Sequence, residues 1–215
     1  MTAQRYRKIK KCIEQRQTGL TVVMENVHKA HNLAAIARTC DAVGIAEVHA
    51  TTELDEIILT QNASSGSDRW LEVRCYKNIN DIFSKLKKKN FQILAAHFDQ
   101  DAIDFRKIDY TIPTAIVVGQ ELEGLSTETV DHADKNIIIP MYGMVQSLNV
   151  SVATALILYE AQRQREEAGL YNKVQLTKQE INKRVFEKCY PRIARVYRDK
   201  NEAYPLLDKD GNIIS

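Results

Sequence analysis

Two hydrophobic periods alternate along this chain. Short apolar runs rich in β-branched residues predict strands at 20–24 and near 46–50, 71–75, 91–97, 114–118 and 136–139, the last closed by Pro140. Between them, apolar residues three and four apart predict helices over 31–43 and near 78–89, 126–132 and 147–167. In the first of these, Leu33, Ile36, Ala37, Cys40 and Val43 make one stripe and Gly44 stops the helix. The last opens on Ser147-Leu148-Asn149 and is apolar on nearly every side through Val150, Val152, Leu156, Ile157, Leu158 and Tyr159. Strands alternating with helices predict an α/β fold with a mostly parallel sheet covered on both faces. A basic amphipathic helix over 3–17, with Tyr6, Ile9 and Ile13 on one side, precedes this core. Beyond Gly169 a linker leads to a helix over 177–189 and a short helical piece after Pro191. The expected division is a helical extension at 1–19, a core domain at 20–168 and a second helical extension at 169–215.

Composition adds compartment and partner. With 44% hydrophobic and 27% charged residues, the 215-residue chain has the make-up of a soluble globular protein. No apolar run approaches the roughly 20 residues of a membrane span, and the basic N-terminus does not resemble a signal peptide, so a cytoplasmic location away from membranes is expected. Cys12, Cys40, Cys75 and Cys189 lie far apart and fit reduced thiols. The net charge of +2 conceals a division. Residues 1–20 hold six Lys/Arg against one Glu, and 161–215 hold twelve against eight acids. The central 21–160 holds twelve against nineteen. Basic ends on an acidic body, with tyrosines interleaved, suit a polyanionic partner such as a nucleic acid, although solvated helix faces would give the same counts.

Several chemistries are absent. None of the eight glycines forms a G-x-G pair, which removes the Rossmann fingerprint, the common glycine-rich methyltransferase loop and the P-loop. The five histidines show no metal-ligand spacing, so no metal is expected, and there is no G-x-S-x-G elbow. Three segments remain that do not resemble scaffold. In 32–44, Arg38 and His31 point away from the apolar stripe. In 114–126 a buried strand ends at Gly119, followed by Gln120, Glu121 and Gly124. In 137–160 a strand, a glycine loop and a buried helix follow one another, with helix N-terminal amides facing the loop. Ser147 or Asn149 could equally serve there as a plain N-cap.

Together these segments resemble the SPOUT superfamily, and specifically its TrmH (SpoU) family of RNA ribose 2′-O-methyltransferases. The family's motifs occur in order: N-x-x-A-x-x-R-T at Asn32 to Thr39, G-x-E-x-x-G at Gly119 to Gly124, and the strand with S-L-N-V-S at Ile137 to Ser151. The resemblance implies a SPOUT fold with a C-terminal deep trefoil knot, a homodimer packed through the knot helices, and S-adenosylmethionine as cofactor. It assigns cofactor contacts to Leu94, Ala96, His97, Gly119, Gln120, Glu121, Ile139, Pro140, Met144, Ser147, Leu148 and Asn149. It assigns catalysis to Arg38 with Asn32, Glu121, Ser147 and Asn149. Within the family the likeness is greatest to members that methylate guanosine 18 in the tRNA D-loop. Another tRNA or rRNA ribose, or a non-catalytic RNA-binding factor on the same fold, are the alternatives.

A ribose hydroxyl needs in-line placement and a sink for its proton. Because a guanidinium stays protonated, Arg38 suits a phosphate clamp better than a general base. Contacts to tRNA are expected from Arg5, Lys8, Lys11, His31, Arg38, Arg163, Arg165, Arg192, Arg195 and Arg198. No DNA partner is expected.

Overall fold

The computed structural model describes residues 1–52, 70–120 and 123–214. In chain order the elements begin with α1 (Ala3–Glu14), β1 (Leu20–Glu25), α2 (Ala30–Ala42), β2 (Glu47–Thr51) and β3 (Glu72–Tyr76). There follow α3 (Ile79–Lys88), β4 (Gln92–Ala96), β5 (Ile103–Asp104), β6 (Thr114–Val118), α4 (Thr127–His132) and β7 (Lys135–Ile138). The last are α5 (Val150–Glu167), α6 (Lys178–Cys189) and α7 (Pro191–Asp199). They group into two compact units, Thr18–Leu170 and a second assembled from Met1–Gln17 with Tyr171–Ser215.

In the larger unit the described strands form one sheet in the order β3-β2-β1-β6-β4-β7-β5, and every ladder is parallel. Parallel strands are joined by crossover connections, and the helices in those crossovers cover both faces of the sheet. Alternate residues serve opposite layers. Leu20, Val22, Met24, Leu94, Ile116 and Val118 meet Leu33, Ile36 and Cys40 of α2 and Ile157, Leu158 and Ala161 of α5. Val23, Ile93, Ala95, Ala115 and Val117 meet Ile79, Ile82, Phe83 and Leu86 of α3. Among the described residues, no helix is long and apolar enough to cross a membrane.

Four local expectations shift. Helix α5 begins at Val150, not 147, because Asn149 is its N-cap and accepts from the Ser151 amide at 2.9 Å. Helix α1 ends at Glu14, three residues early, and Arg16 and Gln17 turn inward and are buried. Strand β5 was not expected; its two residues pair with Ile137 and Ile138, too short a stretch for any period to show. Nor is α5 buried all round: Val152, Leu156 and Tyr159 are 47%, 43% and 55% exposed, one outward stripe at spacings of four and three.

The smaller unit packs α1 along α6. Tyr6, Ile9 and Ile13 form the buried face of α1, while Ile181, Val185, Phe186 and Cys189 form that of α6. Thr177 and Glu180 close a reciprocal capping box at the start of α6. Phe186 stacks on Tyr204 with centroids 4.9 Å apart, and Tyr190 and Tyr197 complete the aromatic cluster. The C-terminal turn is bolted on through Gly211, whose carbonyl accepts from the Tyr190 hydroxyl at 2.7 Å. A Cβ at 211 would fall within 2.5 Å of the Tyr6 ring, so glycine is required there.

Candidate functional site

Parallel strands deliver all their C-terminal ends to one edge, where ligands of open α/β sheets bind. Met24 is in register with Val118, so β1 and β6 end side by side, with β4 and then β7 beyond β6. The chain leaving β1 leads into α2, which carries Asn32 and Arg38. The chain leaving β6 is Gly119, and the chain leaving β7 is the loop toward α5. All three sequence segments therefore issue from the same edge of the larger unit.

One contact joins two of them directly. The Asn149 side-chain amide donates to Asn32 Oδ1 at 3.2 Å, which ties the start of α5 to α2. Asn32 is 1% exposed, so its carbonyl is held by packing and aimed at Asn149. Asn149 Oδ1 meanwhile accepts from both the amide and the hydroxyl of Ser151, at 2.9 and 2.6 Å. The cap is therefore Asn149, not Ser147, and the same side chain reaches across to the first motif. Arg38 is exposed on α2, and His31 is exposed at its start.

The second motif is built on close backbone approach. A Cβ on Gly119 would stand 2.1 Å from the Gly124 carbonyl oxygen and 2.7 Å from the Leu125 nitrogen, so no other residue fits. Gly124, at φ +71°, donates its amide to the Gln120 carbonyl at 3.0 Å. The Gln120 side-chain amide donates to the Glu123 carboxylate. Glu121 lies outside the described residues.

The remaining positions that the resemblance assigns to the cofactor divide by depth. Ala96 and His97 are half-buried at the end of β4, and the His97 amide donates to the Ile137 carbonyl at 3.2 Å. Ile139 and Pro140 are half-buried at the end of β7, Leu148 is half-buried, and Met144 and Ser147 are exposed. Leu94 is different. It lies inside β4, fully buried and paired with both Ile116 and Lys135, so it supports this edge from beneath and does not line it. Among the described residues no cluster of His, Cys, Asp or Glu could hold a metal.

The cations expected to meet RNA also divide. Arg5, Lys8 and Lys11 are exposed on α1, and Arg192, Arg195 and Arg198 on α7. Arg163 is exposed but chelated, by Glu160 at 2.7 Å and Glu167 at 2.7 Å. Arg165 is a correction. It is 1% exposed, and its guanidinium donates to the main-chain carbonyls of Gly19 and Ile112, so it cannot reach an RNA. The signal was present in the sequence: Arg165 follows Ala161 by four and Leu158 by seven, on the buried stripe of its helix.

Sequence reasoning missed one residue of this edge altogether. Glu25, the last residue of β1, is 5% exposed, and its carboxylate accepts from the Ser126 amide and hydroxyl and from the Thr129 hydroxyl. A lone acid closing the apolar run LTVVM was the only trace of it.

Known proteins agree with this architecture. The SpoU rRNA methylase family model matches residues 19–159, and a SpoU rRNA methylase C-terminal model matches 163–215. The tRNA (guanosine(18)-2′-O)-methyltransferase of Escherichia coli (strain K12) is 48% identical over 215 residues, covering 99% of this chain and 94% of that one. The crystal structure of the A. aeolicus TrmH/SpoU tRNA modifying enzyme superposes with a TM-score of 0.83 at 43% identity, covering 87% of this chain and 96% of the other. An AdoMet-bound rRNA methyltransferase from Sinorhizobium meliloti gives a TM-score of 0.62 at 28% identity, covering 72% of this chain and 59% of that one. The chain belongs to the SpoU methylase family.

Proposed function

We propose that this protein transfers a methyl group from S-adenosylmethionine to the ribose 2′-oxygen of guanosine 18 in the D-loop of tRNA. The observation that carries the reading is the Asn149–Asn32 contact, which joins the helix starts of two motifs at the sheet edge where Gly119 ends. The 48% identity to the E. coli enzyme of that name, over nearly the whole of both chains, supports the choice of nucleotide.

The residues present fit the cofactor. Backbone groups at the ends of β4, β6 and β7 surround one edge. Gly119 closes on Gly124 with no side chain between them, and the loop before α5 presents exposed Met144 and Ser147 beside half-buried Leu148. Ala96, His97, Gly119, Gln120, Glu121, Ile139, Pro140, Met144, Ser147, Leu148 and Asn149 would hold it, largely through main-chain contacts. When bound, it supplies a methyl group on a sulfonium, already a strong electrophile. The protein's own task is then to place the 2′-oxygen in line and to dispose of its proton. Arg38, exposed on α2, clamps a substrate phosphate and polarises the hydroxyl, while that phosphate or a water takes the proton. Asn32 and Asn149, held to each other, fix the ribose side of this edge.

The same reading extends to assembly and threading. The outward stripe of Val152, Leu156 and Tyr159 suits a second copy of this chain, making a homodimer through α5. The chain leaving β7 returns to pack α5 on α2, which fits a trefoil knot around the cofactor edge. Exposed cations on α1 and α7 contact tRNA phosphates, and the enzyme works in the cytoplasm. The test is incubation of unmodified tRNA with the protein and labelled S-adenosylmethionine, followed by mapping of ribose methylation. Label at guanosine 18, and none in tRNA carrying 2′-deoxyguanosine there, is expected. Label at another nucleotide would overturn the assignment, and no label at all would overturn the reaction.

A further inference from the structure

We infer that Glu25 is a positioning residue for the methyl transfer, holding Ser126 and the start of α4 against the end of β1 and so setting the cofactor edge relative to the helix that carries Asn32 and Arg38.

Glu25 is 5% exposed at a position where the rest of its strand is Leu, Thr, Val, Val and Met. A strand with only a packing role would take an apolar residue there, because burying a carboxylate is costly unless donors surround it. Three donors do. Ser126 Oγ lies 2.6 Å from Oε1, Thr129 Oγ1 lies 2.8 Å from Oε1, and the Ser126 amide lies 3.0 Å from Oε2. Ser126 is also the N-cap of α4, accepting from the Thr129 amide at 3.1 Å. Both oxygens of Glu25 thus grip the residue just past the second motif.

Its place in the sheet gives the grip a direction. Since Met24 pairs with Val118, the ladder register brings Glu25 level with Gly119, while its side chain reaches Ser126 and Thr129. Gly119 is meanwhile pressed on Gly124 with no room for a Cβ. Gly119 and Gly124 are therefore fixed by mutual backbone contact, and Ser126, two residues further on, is held by a carboxylate. Glu25 is also the last ladder residue before the chain turns away, at Asn26 with φ +52°, toward α2. Asn26 is anchored in turn, its amide donating to Thr51 Oγ1 at 3.1 Å. A shift of Glu25 would move the start of α4 and the entry to α2 together.

The inference rests on the cofactor reading above, and the experiment separates the two. In the full-length protein, S-adenosylmethionine binding is measured by calorimetry, alongside tRNA affinity, KM for the cofactor, kcat and the thermal midpoint. Glu25→Ala should weaken cofactor binding by about tenfold or more, with KM for the cofactor rising accordingly and tRNA affinity unchanged. Glu25→Gln should restore most of the loss. Its amide oxygen can accept from the Ser126 amide while its NH₂ donates to the two hydroxyls. The pair Ser126→Ala with Thr129→Val should reproduce the loss and add nothing to Glu25→Ala, as one shared network requires. Cofactor affinity equal to wild type in a folded Glu25→Ala protein, or effects that simply add, would overturn the inference. If Glu25→Ala does not fold, the Ser126/Thr129 pair, set against Glu25→Gln, carries the same comparison. Failure of the wild type itself to bind the cofactor would overturn the cofactor reading, and this inference with it.

Discussion

Arg38 faces water from α2, whereas Arg165 is 1% exposed and spends its protons on the carbonyls of Gly19 and Ile112. The two should respond oppositely to substitution. Arg38→Ala should cut methyl transfer by about thirtyfold or more, a loss of transition-state stabilisation of about 2 kcal/mol, with cofactor affinity and thermal midpoint unchanged. A single-turnover assay beside calorimetry checks this, and retention of most of the rate would remove Arg38 from the mechanism. Arg165→Met should instead cost about 1–2 kcal/mol of stability by removing the guanidinium's hydrogen bonds to the Gly19 and Ile112 carbonyls, each of which keeps a donor from Thr114, and leave the salt dependence of tRNA binding intact. Denaturant unfolding and a salt titration together decide it. Asn149→Ala has two consequences. It loses about 1 kcal/mol of capping, and it also removes the Asn149–Asn32 hydrogen bond, so turnover should fall by more than the cap alone accounts for. Asn149→Ser, which caps but cannot reach Asn32, separates the two in parallel stability and rate measurements.

At the scale of elements, β2 carries a pH response. His49 is 4% exposed, and burial pushes its imidazole down to about 4. Arg74, Lys89 and Lys85 push the same way and Glu47 opposes them. The folded state therefore keeps His49 neutral at a pH where the unfolded chain, with a value near 6.5, already binds a proton. Its contribution is complete above 6.5 and is lost as pH falls from 6.5 toward 4, by about 2 kcal/mol between pH 7 and 5. Urea midpoints for wild type and His49→Leu at the two pH values check the sign: the variant should lose less stability on acidification. The long elements were legible because their periods run for several turns or several residues, as the stripe of α2 and the apolar runs of β1 and β6 do. The start of α5 was not, since Ser147 and Asn149 are both good caps and only geometry selects Asn149. Of the candidate site, the motif residues of α2, β6 and α5 could be named from sequence. Glu25 could not, because its partners Ser126 and Thr129 lie a hundred residues away. The outward stripe on α5 was hidden for the same reason: Val152, Leu156 and Tyr159 match the core in chemistry, and only the tertiary fold turns them outward.

For the whole molecule, the cations that remain open to solvent on α1 and α7 set the electrostatics of substrate capture. Replacing Arg5, Lys8 and Lys11 together by Gln should weaken tRNA binding and lower the slope of log affinity against log salt, by up to about one for each phosphate no longer neutralised. Cofactor affinity should stay as in wild type. Filter binding across a salt series checks it, and an unchanged slope would place the RNA footprint elsewhere. The smaller unit also joins the two ends of the chain, and this has a consequence for the order of events at the ribosome. The apolar face of α1 (Tyr6, Ile9 and Ile13) is synthesised well before its partners on α6 and at Gly211. The larger unit, complete by residue 170, can assemble while that face waits. Until α6 emerges the nascent protein therefore exposes the unpaired apolar side chains of α1, and stalling or premature termination before residue 178 would leave them so. Such truncated chains should be favoured targets for chaperones and proteases, even where their catalytic unit is already folded.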